Sequence, residues 1–558
     1  MVPSAPYWRL YVPKLVTVLQ DGYGLKRFGA DAMAGLTVAI VALPLSMALA
    51  IASGTSPDRG LYTAIVAGAL ISALGGSRFQ IGGPTGAFVV VVFNVIQTHG
   101  YDGLVIATLM AGVMLILAGF AKFGTYVKYV PYPVVTGFTT GIALIIFSSQ
   151  VAEVLGLRLS ENPAAFVEKW IAYGRALGTF DPATFAIAMT SLAVIVGCRL
   201  WRPQWPMLLI AVVTGAAIVS SFGLPVATIG SKFGAISNTL PAPHIPEVTL
   251  SRIRGLLPSA FTIAFLAGVE SLLSAVVADG MTGRRHRSNS ELVAQGIANV
   301  GSAMFGGIPA TGAIARTATN IRAGAYSPVA GIMHAAFLLL FMLFLSPLAS
   351  FVPLASLGAV LIVVAWNMAE LKNFRHLMKA PPGDQAVLMT TFVLTLITDL
   401  TTAIEIGVLL AALFFMHRMA NAFEISTSAR VIDEDIDDFS RQRDTYEGRG
   451  DIPSDVEVFQ INGPFFFGAA NRLGDVLERL RTPPRAFILR MGNVPLIDAS
   501  GAAALEKFVD DAARRGTRTV LSNVQPEVLS VIDALGLTAK PTVSVAKNLQ
   551  KALATARE

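Results

Sequence analysis

Two short segments carry residue types that could do chemistry in this sequence. Gly82–Phe88 and Phe305–Arg316 both contain Gly-Gly, a proline within two residues, and then Thr-Gly-Ala at the start of an apolar run. Gly/Pro-broken apolar segments at corresponding positions in two halves of a chain indicate the midplane binding site of a transporter. Since lipid cannot satisfy free backbone groups, each break must be buried in protein or line a cavity.

The paired segments predict a site for an anion. We expect each to start a half-helix, near Thr85 and near Thr311, so that the two helix N-termini face each other. Free N–H groups and the positive ends of two helix dipoles would then converge on one point. The alternative is that the glycines only allow close helix packing. The predicted binding residues within the segments are Gly83, Thr85, Gly86, Ala87, Thr311, Gly312 and Ala313.

Glu270 is the candidate for ion coupling, because it is the only charged residue within Leu256–Ala278. An ionisable group at membrane depth is by default a functional hypothesis. Burial disfavours the charged form of a carboxyl, so Glu270 could carry a proton with the anion, or it could only hydrogen-bond exposed half-helix backbone. Ser274, four residues on, lies on the same helix face and could orient it. Arg316 could supply positive potential or pair with Glu270, and such a pair would weaken the proton-coupling hypothesis.

The elements that hold these residues must lie in a membrane. The chain has 558 residues, of which 54% are hydrophobic and 14% are charged, with a net charge of +6. Soluble domains carry about 25% charged residues. Apolar runs of about 20 residues, each able to cross a bilayer, recur along the sequence. A mainly α-helical membrane protein follows from this composition.

Hydropathy predicts fourteen transmembrane segments in two sets of seven, and the third member of each set is a broken segment. An odd number of spans per repeat gives the two halves opposite topology, which is an inverted repeat. The predicted spans are 31–52, 60–75, 84–98, 103–121, 132–151, 182–200, 206–222, 257–278, 291–304, 311–318, 327–345, 353–369, 384–398 and 401–420.

The short loops predicted on the same side of the membrane as the N-terminus contain more Lys and Arg than the short loops on the opposite side. This indicates a cytoplasmic N-terminus. With fourteen spans the C-terminal region is cytoplasmic as well. The predicted regions are a cytoplasmic segment at 1–30, repeat 1 at 31–222, repeat 2 at 223–420, a charged linker at 421–453 and a soluble α/β domain at 454–558.

Alternating and amphipathic patterns predict the elements of this soluble domain. We expect four strands and four helices. The strands are Val456–Ile461, Pro464–Phe467, Arg485–Met491 and Thr517–Ser522, and the helices are Ala469–Leu480, Ser500–Arg514, 526–535 and 544–555.

Several classes of function lack the residues they need. The single cysteine, Cys198, excludes an intrachain disulfide and a Cys-based metal site, and the histidines lack metal-ligand spacing. No nucleophile–base set, phosphate-cradling loop or basic stripe with aromatic residues appears, so we expect neither an enzyme nor a nucleic-acid-binding protein. We expect no cofactor and no metal. The coupling ion would be a proton, with sodium as the alternative.

The residues of several motifs resemble those of the SulP (solute carrier 26) anion transporters. In the C-terminal region, Ile497–Gly501 resembles a STAS domain, similar to bacterial anti-sigma-factor antagonists. Leu43–Ala50 is most similar to the bacterial branch that includes a C4-dicarboxylate carrier. The further motifs that carry the resemblance are Gly-Gly-Pro-Thr at Gly82–Thr85, Glu270–Leu273, Ala278–Gly283, Asn289–Leu292, Gly296, Asn299 and residues 306–316.

The resemblance implies a core domain (spans 1–4 and 8–11) that moves as an elevator against a gate domain (spans 5–7 and 12–14). It also implies a homodimer in the lipid bilayer and a cytoplasmic STAS domain that could bind a protein partner. Family anion-site positions correspond to Leu45, Leu49, Thr85, Ala315 and Arg316. Ser500 stands where the antagonist proteins are phosphorylated, although Ser is also a preferred helix N-cap.

The sequence thus predicts a secondary active anion transporter of the cell (inner) membrane. The substrate would be an inorganic anion, sulfate or bicarbonate, or a C4-dicarboxylate. Sodium-coupled bicarbonate members have Asp where Glu270 stands, which favours proton coupling here. The rival functions are a nucleobase/proton symporter, an uncoupled anion channel and a membrane-anchored STAS signalling module. Nucleobase symporters use a second carboxylate on span 10, and Thr311–Thr319 contains none.

Overall fold

Long apolar helices make up most of the described chain, as expected where backbone groups must be satisfied within each segment. The computed structural model describes residues 10–125, 131–160, 163, 165–202, 205–398, 400–421, 424–427, 452–453, 455–466 and 483–557. It divides into two units, Met1–Leu409 and Leu410–Glu558.

In the described residues, seventeen helices precede the sheet of the C-terminal region. They are α1 (Lys14–Gln20), α2 (Leu25–Ala52), α3 (Pro57–Leu74), α4 (Val89–Phe120), α5 (Tyr132–Leu155), α6 (Phe166–Ala176), α7 (Pro182–Trp201), α8 (Met207–Phe222), α9 (Ile229–Phe233), α10 (Leu250–Thr282), α11 (Ser288–Met304), α12 (Ile314–Arg322), α13 (Val329–Ala349), α14 (Leu354–Met368), α15 (Leu371–Leu377), α16 (Pro382–Ile397) and α17 (Leu400–Asn421). Of these, α3 and α4 flank the first broken segment.

Eight helical segments of the described chain are long and apolar enough to cross a membrane, and two shorter ones are α8 and α16. The helix α4 contains a non-helical residue, Gly100, with a φ of 69°. Its two halves therefore correspond to the predicted spans 84–98 and 103–121. The predicted fourteen crossings stay a prediction. Four helices lie outside the predicted spans and were not predicted: α1, the amphipathic α6, α9 and α15.

The helices of the first unit pack in two groups. One group contains α2, α3, α4, α10, α11, α12 and α13, and the other contains α5, α7, α8, α14 and α16. The first group corresponds to the predicted core spans 1–4 and 8–11, and the second to the gate spans 5–7, 12 and 13, without span 14 (α17). Small residues permit the close approach within the first group: a Cβ on Gly112 would lie 2.7 Å from the carbonyl oxygen of Gly296, where α4 crosses α11.

The second unit is built on a five-stranded sheet, whereas the short strands β1 (Gly82–Gly83) and β2 (Thr311–Gly312) belong to the first unit. The strand β3 of the sheet is antiparallel to β4, and the other pairs are parallel. In the spatial order in which they pair, the strands are β3 (Glu424–Thr427), β4 (Val456–Asn462), β5 (Ala486–Asn493), β6 (Arg518–Ser522) and β7 (Val543–Ala546).

Helices cover both faces of this sheet. The helix α18 (Ala499–Arg514) contributes Leu505 and Phe508 to one buried cluster, and α20 (Leu549–Arg557) contributes Leu553 to another. A further helix, α19 (Pro526–Ala534), packs with the first cluster through Ile532.

Three predicted elements of this unit differ from the structure. The helix predicted at 544–555 was wrong over its first residues, because Val543–Ala546 pairs with β6 and helix begins only at Leu549. The predicted strand Pro464–Phe467 contains, in its described part, a single bridge between Phe465 and Ile497. The strand β3 lies within the predicted linker. The predicted helix Ala469–Leu480 lies outside the described residues.

Candidate functional site

The two broken segments meet as a short antiparallel pair. The strand β1 pairs with β2, with Gly82 opposite Gly312 and Gly83 opposite Thr311. A further backbone hydrogen bond joins Ala313 N–H to the Ile81 carbonyl at 2.9 Å. The backbone freed by the breaks is thereby satisfied inside the protein, as a non-helical segment at membrane depth requires.

A helix starts directly after each strand. Thr85 precedes a single 3₁₀ turn, Gly86–Phe88, which leads into α4. On the other side Ala313 is the N-cap residue of α12, so this helix starts later than the predicted Thr311. Neither start has a side-chain cap. Because first-turn N–H groups lack intrahelical acceptors, both starts present free donors.

The later start of α12 changes the position of Arg316. It is the third residue of the helix, within its first turn, and not a residue one turn further along. Its guanidinium is buried, since the residue is 3% exposed; Nη2 donates to the Pro84 carbonyl, and Nη1 has no partner in the described residues. A Cβ on Gly83 would lie 2.5 Å from Nη1, so only glycine leaves room for this cation.

Glu270, on α10, reaches the start of the first half-helix. Thr85 Oγ1 donates to Glu270 Oε2 at 2.8 Å. Ser274 Oγ donates to Thr317 Oγ1 of α12 at 3.1 Å, and the expectation that Ser274 orients Glu270 stays a prediction. No ion pair within 4.0 Å joins Glu270 to Arg316 in the described chain, and the guanidinium binds the Pro84 carbonyl instead.

The remaining predicted positions form an apolar wall and an open side. Leu49 and Ala87 are buried in one hydrophobic cluster, with Leu45 packed against it. Ala315 is exposed and Thr85 is partly exposed. The site therefore combines apolar surface with two helix starts, one cation and one carboxyl.

Gly86 lies where the two helix groups meet. A Cβ at this position would lie 3.0 Å from Met368 Sδ of α14 and 3.1 Å from Ile146 Cδ1 of α5. Both of these neighbours belong to the second group of helices, whereas Gly86 leads into α4 of the first. The glycine thus permits a close contact between the groups at the edge of the site.

A buried polar network supports the site from behind. Gln80 Nε2 donates to Ser271 Oγ at 2.7 Å, and Ser271 Oγ donates to Glu291 Oε1 at 3.3 Å. Glu291 Oε2 accepts from the backbone N–H groups of Gly76 at 2.8 Å and Ser77 at 3.1 Å. These bonds tie α10 and α11 to the chain that leads into β1.

A second set of bonds holds the chain that leads into β2. Asn299 exchanges two hydrogen bonds with the backbone of Ala310, at 2.8 and 2.9 Å, and Thr63 Oγ1 accepts from Ile308 N–H at 2.7 Å. Sequence reasoning did not assign these supporting roles. The available signal was a polar residue in an otherwise apolar span, which is costly unless it is partnered.

The comparisons with known proteins decide the family. The sequence profile of the sulfate permease family matches residues 28–391, and that of the STAS domain matches residues 450–552. This chain belongs to the sulfate permease family. The permease is a multi-pass membrane transporter and not an enzyme, and the predicted resemblance and fold class, with a C-terminal STAS domain, are confirmed.

Named relatives of the permease agree with this assignment. It is 42% identical over 518 residues to the "Putative sulfate transporter YvdB" of Bacillus subtilis (strain 168), covering 92% of this chain and 95% of the relative. The transmembrane domain of a cyanobacterial bicarbonate transporter, BicA, is 29% identical with a TM-score of 0.61, covering 70% and 98%. Murine Slc26a9 in the inward-facing state shares the fold, with a TM-score of 0.86 at 20% identity, covering 100% and 96%.

The STAS domain of the permease corrects one predicted cap. The N-cap of α18 is Asp498, whose Oδ1 accepts from Gly501 N–H at 2.7 Å, and not Ser500. Ser500 is an exposed residue of the first helical turn. Its phosphorylation stays a prediction. Among the described residues, no group of three His, Cys, Asp or Glu could hold a metal ion.

Proposed function

We propose that the permease is a secondary active transporter of a small inorganic anion, sulfate or bicarbonate, coupled to protons through Glu270. The supporting observation is the hydrogen bond from Thr85 to Glu270 at the start of the first half-helix. The names of the relatives, a putative sulfate transporter and a bicarbonate transporter, support the choice of substrates. A C4-dicarboxylate is a further candidate substrate.

The anion would bind where the two uncapped helix starts converge. Its negative charge would accept hydrogen bonds from the backbone N–H groups that follow Thr85 and Ala313, where the helix dipoles are positive. The unpartnered Nη1 of Arg316 would add a charge-assisted bond. The backbone that surrounds the anion would consist of Gly83, Gly86, Ala87, Thr311, Gly312 and Ala315. Leu45 and Leu49 would form the apolar wall of the site.

Coupling would follow from repulsion between the anion and the Glu270 carboxylate. Two like charges about 4 Å apart repel by about 4 kcal/mol at an effective dielectric constant of 20. Protonation of Glu270 removes this repulsion and lets the anion bind. Because such coupling is reciprocal, the anion also favours the protonated carboxyl, and the two would move together.

The movement itself would be an elevator motion of the first helix group against the second. The contact of Gly86 with Ile146 and Met368 lies on the boundary that such a motion would shear. The same proposal retains the five predicted regions, with the N-terminal segment and the STAS domain in the cytoplasm at the inner membrane. It also pairs two copies as a homodimer.

The test is uptake by the purified protein in proteoliposomes under imposed pH and sodium gradients. Labelled sulfate, bicarbonate, succinate and chloride are compared. We expect Glu270→Gln to abolish pH-driven uptake of the substrate, while binding of that anion, measured by calorimetry, survives because a neutral amide mimics the protonated carboxyl.

Glu405→Gln is the matched control, because Glu405 is an exposed carboxylate on α17 outside the site. It should retain pH-driven uptake. Proton-dependent uptake that is unchanged in Glu270→Gln would contradict the coupling role. Saturable uracil uptake without anion uptake would favour the nucleobase symporter instead, and uptake indifferent to every imposed gradient would favour the channel.

A further inference from the structure

A cavity with charged residues in its lining lies near the candidate site, beyond Gly86 along the chain that forms α4. It has a volume of about 280 Å³, several times what one water molecule needs. Its walls come from the end of α2, the first turns of α4, the last turns of α5, and the two loop helices α6 and α9. Both helix groups of the membrane unit thus contribute to it.

The cavity has an excess of positive charge. The titratable residues that line it are Lys169, Lys232 and Glu153. Lys232 Nζ binds Glu153 Oε1 at 2.7 Å, which neutralises both groups. Lys169 remains as the uncompensated charge.

Lys169 has no ordinary partner for its ammonium group. The residue is only 6% exposed, and no hydrogen bond or ion pair reaches Nζ from the described part of the chain. Its Nζ lies 5.2 Å from the ring centroid of Phe93, a partial stabilisation. Burial lowers the pKa of Lys169. A buried ammonium is costly unless it is paired, and an anion in the cavity would supply the missing counter-charge.

Neutral hydrogen-bonding side chains complete the lining. Asn94 on α4 carries a carboxamide donor, and Thr55 carries a hydroxyl group. Neutral donors around one cation suit a small anion that accepts several hydrogen bonds. An apolar ligand would leave these groups and Lys169 unsatisfied.

On three helices, residues that line the cavity follow shortly after residues at the candidate site. Ala52 follows Leu49 on α2, Val90 lies one turn beyond Gly86, and Ser149 lies one turn beyond Ile146. From Gly86 to Phe93 the chain rises roughly 10 Å along the helix. Ile146, which a Cβ on Gly86 would approach to 3.1 Å, directly follows Ile145 of the cavity lining.

We propose that this cavity is a second anion site, which binds a small oxyanion or carboxylate of the substrate class on Lys169 before the anion passes Gly86. The role as a waiting position rests on the proposed anion transport. Binding on Lys169 does not, since the cavity and its charge exist whatever the coupling mechanism is.

The test uses chemical labelling, which does not require transport. Cys198 is the single cysteine, so Cys198→Ser with Gln97→Cys leaves one thiol, at an exposed position of the cavity lining. The detergent-purified protein is reacted with an anionic and with a neutral methanethiosulfonate reagent, with and without sulfate or bicarbonate. We expect the anionic reagent to be favoured, and both anions to slow the labelling.

Lys169→Met, which keeps the apolar stem and removes the charge, should lower the anionic-to-neutral rate ratio roughly 3- to 10-fold, as the loss of one nearby charge predicts. It should also remove the protection by sulfate and bicarbonate. Lys169→Arg should retain both properties. If Lys169 only packs α6 against α4 through its stem, the ratio and the protection will be the same in Lys169→Met as in its parent, and the proposal is overturned.

The double variant Glu153→Gln/Lys232→Met is the matched control. It removes one cation and one anion, so the net charge of the cavity lining is unchanged. The rate ratio should stay within about twofold of the parent. A fall equal to that in Lys169→Met would overturn the assignment of the anion to Lys169. Active uptake with no protection at Gln97→Cys would overturn the second site while leaving the proposed function intact.

Discussion

The two broken segments share a sequence pattern and differ in what they build from it. Both provide a glycine-rich strand, and the strands pair with each other as β1 and β2. In the first segment Thr85 donates to the Glu270 carboxylate at 2.8 Å. In the second, the fully buried Thr311 donates to the backbone carbonyl of Ala267, also at 2.8 Å.

The segments also differ in charge. Counting from the threonine, the position that Arg316 occupies in the second segment is held by Val90 in the first. One half of the repeat thus contributes the hydroxyl group that reaches Glu270, and the other contributes the guanidinium. The backbones differ as well, because the paired strand contains the Gly-Gly of the first motif and the Thr-Gly of the second.

The largest expected effect comes from Gly83→Ala, which acts where the two segments touch. Gly83 has a φ of 151°, a conformation that costs other residues about 1–3 kcal/mol. The added Cβ would also lie 2.5 Å from Arg316 Nη1 and displace the guanidinium. Since hydrogen bonds to charged groups contribute about 1.5–3 kcal/mol, we expect a loss of anion affinity of about 10- to 100-fold by calorimetry.

Gly22→Ala is a control that separates the effect of backbone strain at a glycine from the effect of displacing the Arg316 guanidinium. Gly22 also has a positive φ, 85°, but no atom lies within 4 Å of the position that a Cβ would take there. This variant should lower thermal stability slightly and leave anion affinity unchanged. Equal affinity losses in the two variants would mean that Arg316 is not the cause.

Thr85→Val and Thr311→Val test the asymmetry directly. Thr85→Val removes the donor to Glu270, so we expect the midpoint of pH-dependent uptake to shift. Thr311→Val removes the side-chain donor to the Ala267 carbonyl inside α10, and should lower the free energy of unfolding by about 1 kcal/mol. It should leave the midpoint of pH-dependent uptake where it is. Equal shifts of the midpoint in both variants would mean that the two threonines act alike.

Much of this arrangement could be predicted from local patterns. Apolar runs indicated the helices, and the repeated Gly-Gly and Thr-Gly-Ala pairs indicated that two breaks would meet. The start of α12 at Ile314 was not predictable in the same way. It depends on the pairing of Thr311 and Gly312 with β1, which is a contact between distant parts of the chain.

The hydrogen-bond partners were the least predictable part of the site. Gln80, Ser271 and Glu291 come from three separate elements, and their spacing in the sequence does not reveal that they form one network. In the STAS domain, similarly, the pattern at Val543–Ala546 was interpreted as helix. Its pairing with β6 decided otherwise, because a strand at this position completes the sheet.

The smallest expected effect separates two roles for Ser274. The sequence placed it one turn from Glu270, whereas its Oγ donates to Thr317 at 3.1 Å. Ser274→Ala removes this single bond and should lower the free energy of unfolding by about 1 kcal/mol. Uptake should keep its dependence on pH, because the bond from Thr85 to Glu270 is untouched. Loss of pH dependence in Ser274→Ala would instead return Ser274 to the coupling residues and make the α10 side of the site, and not the first broken segment, the element that controls Glu270.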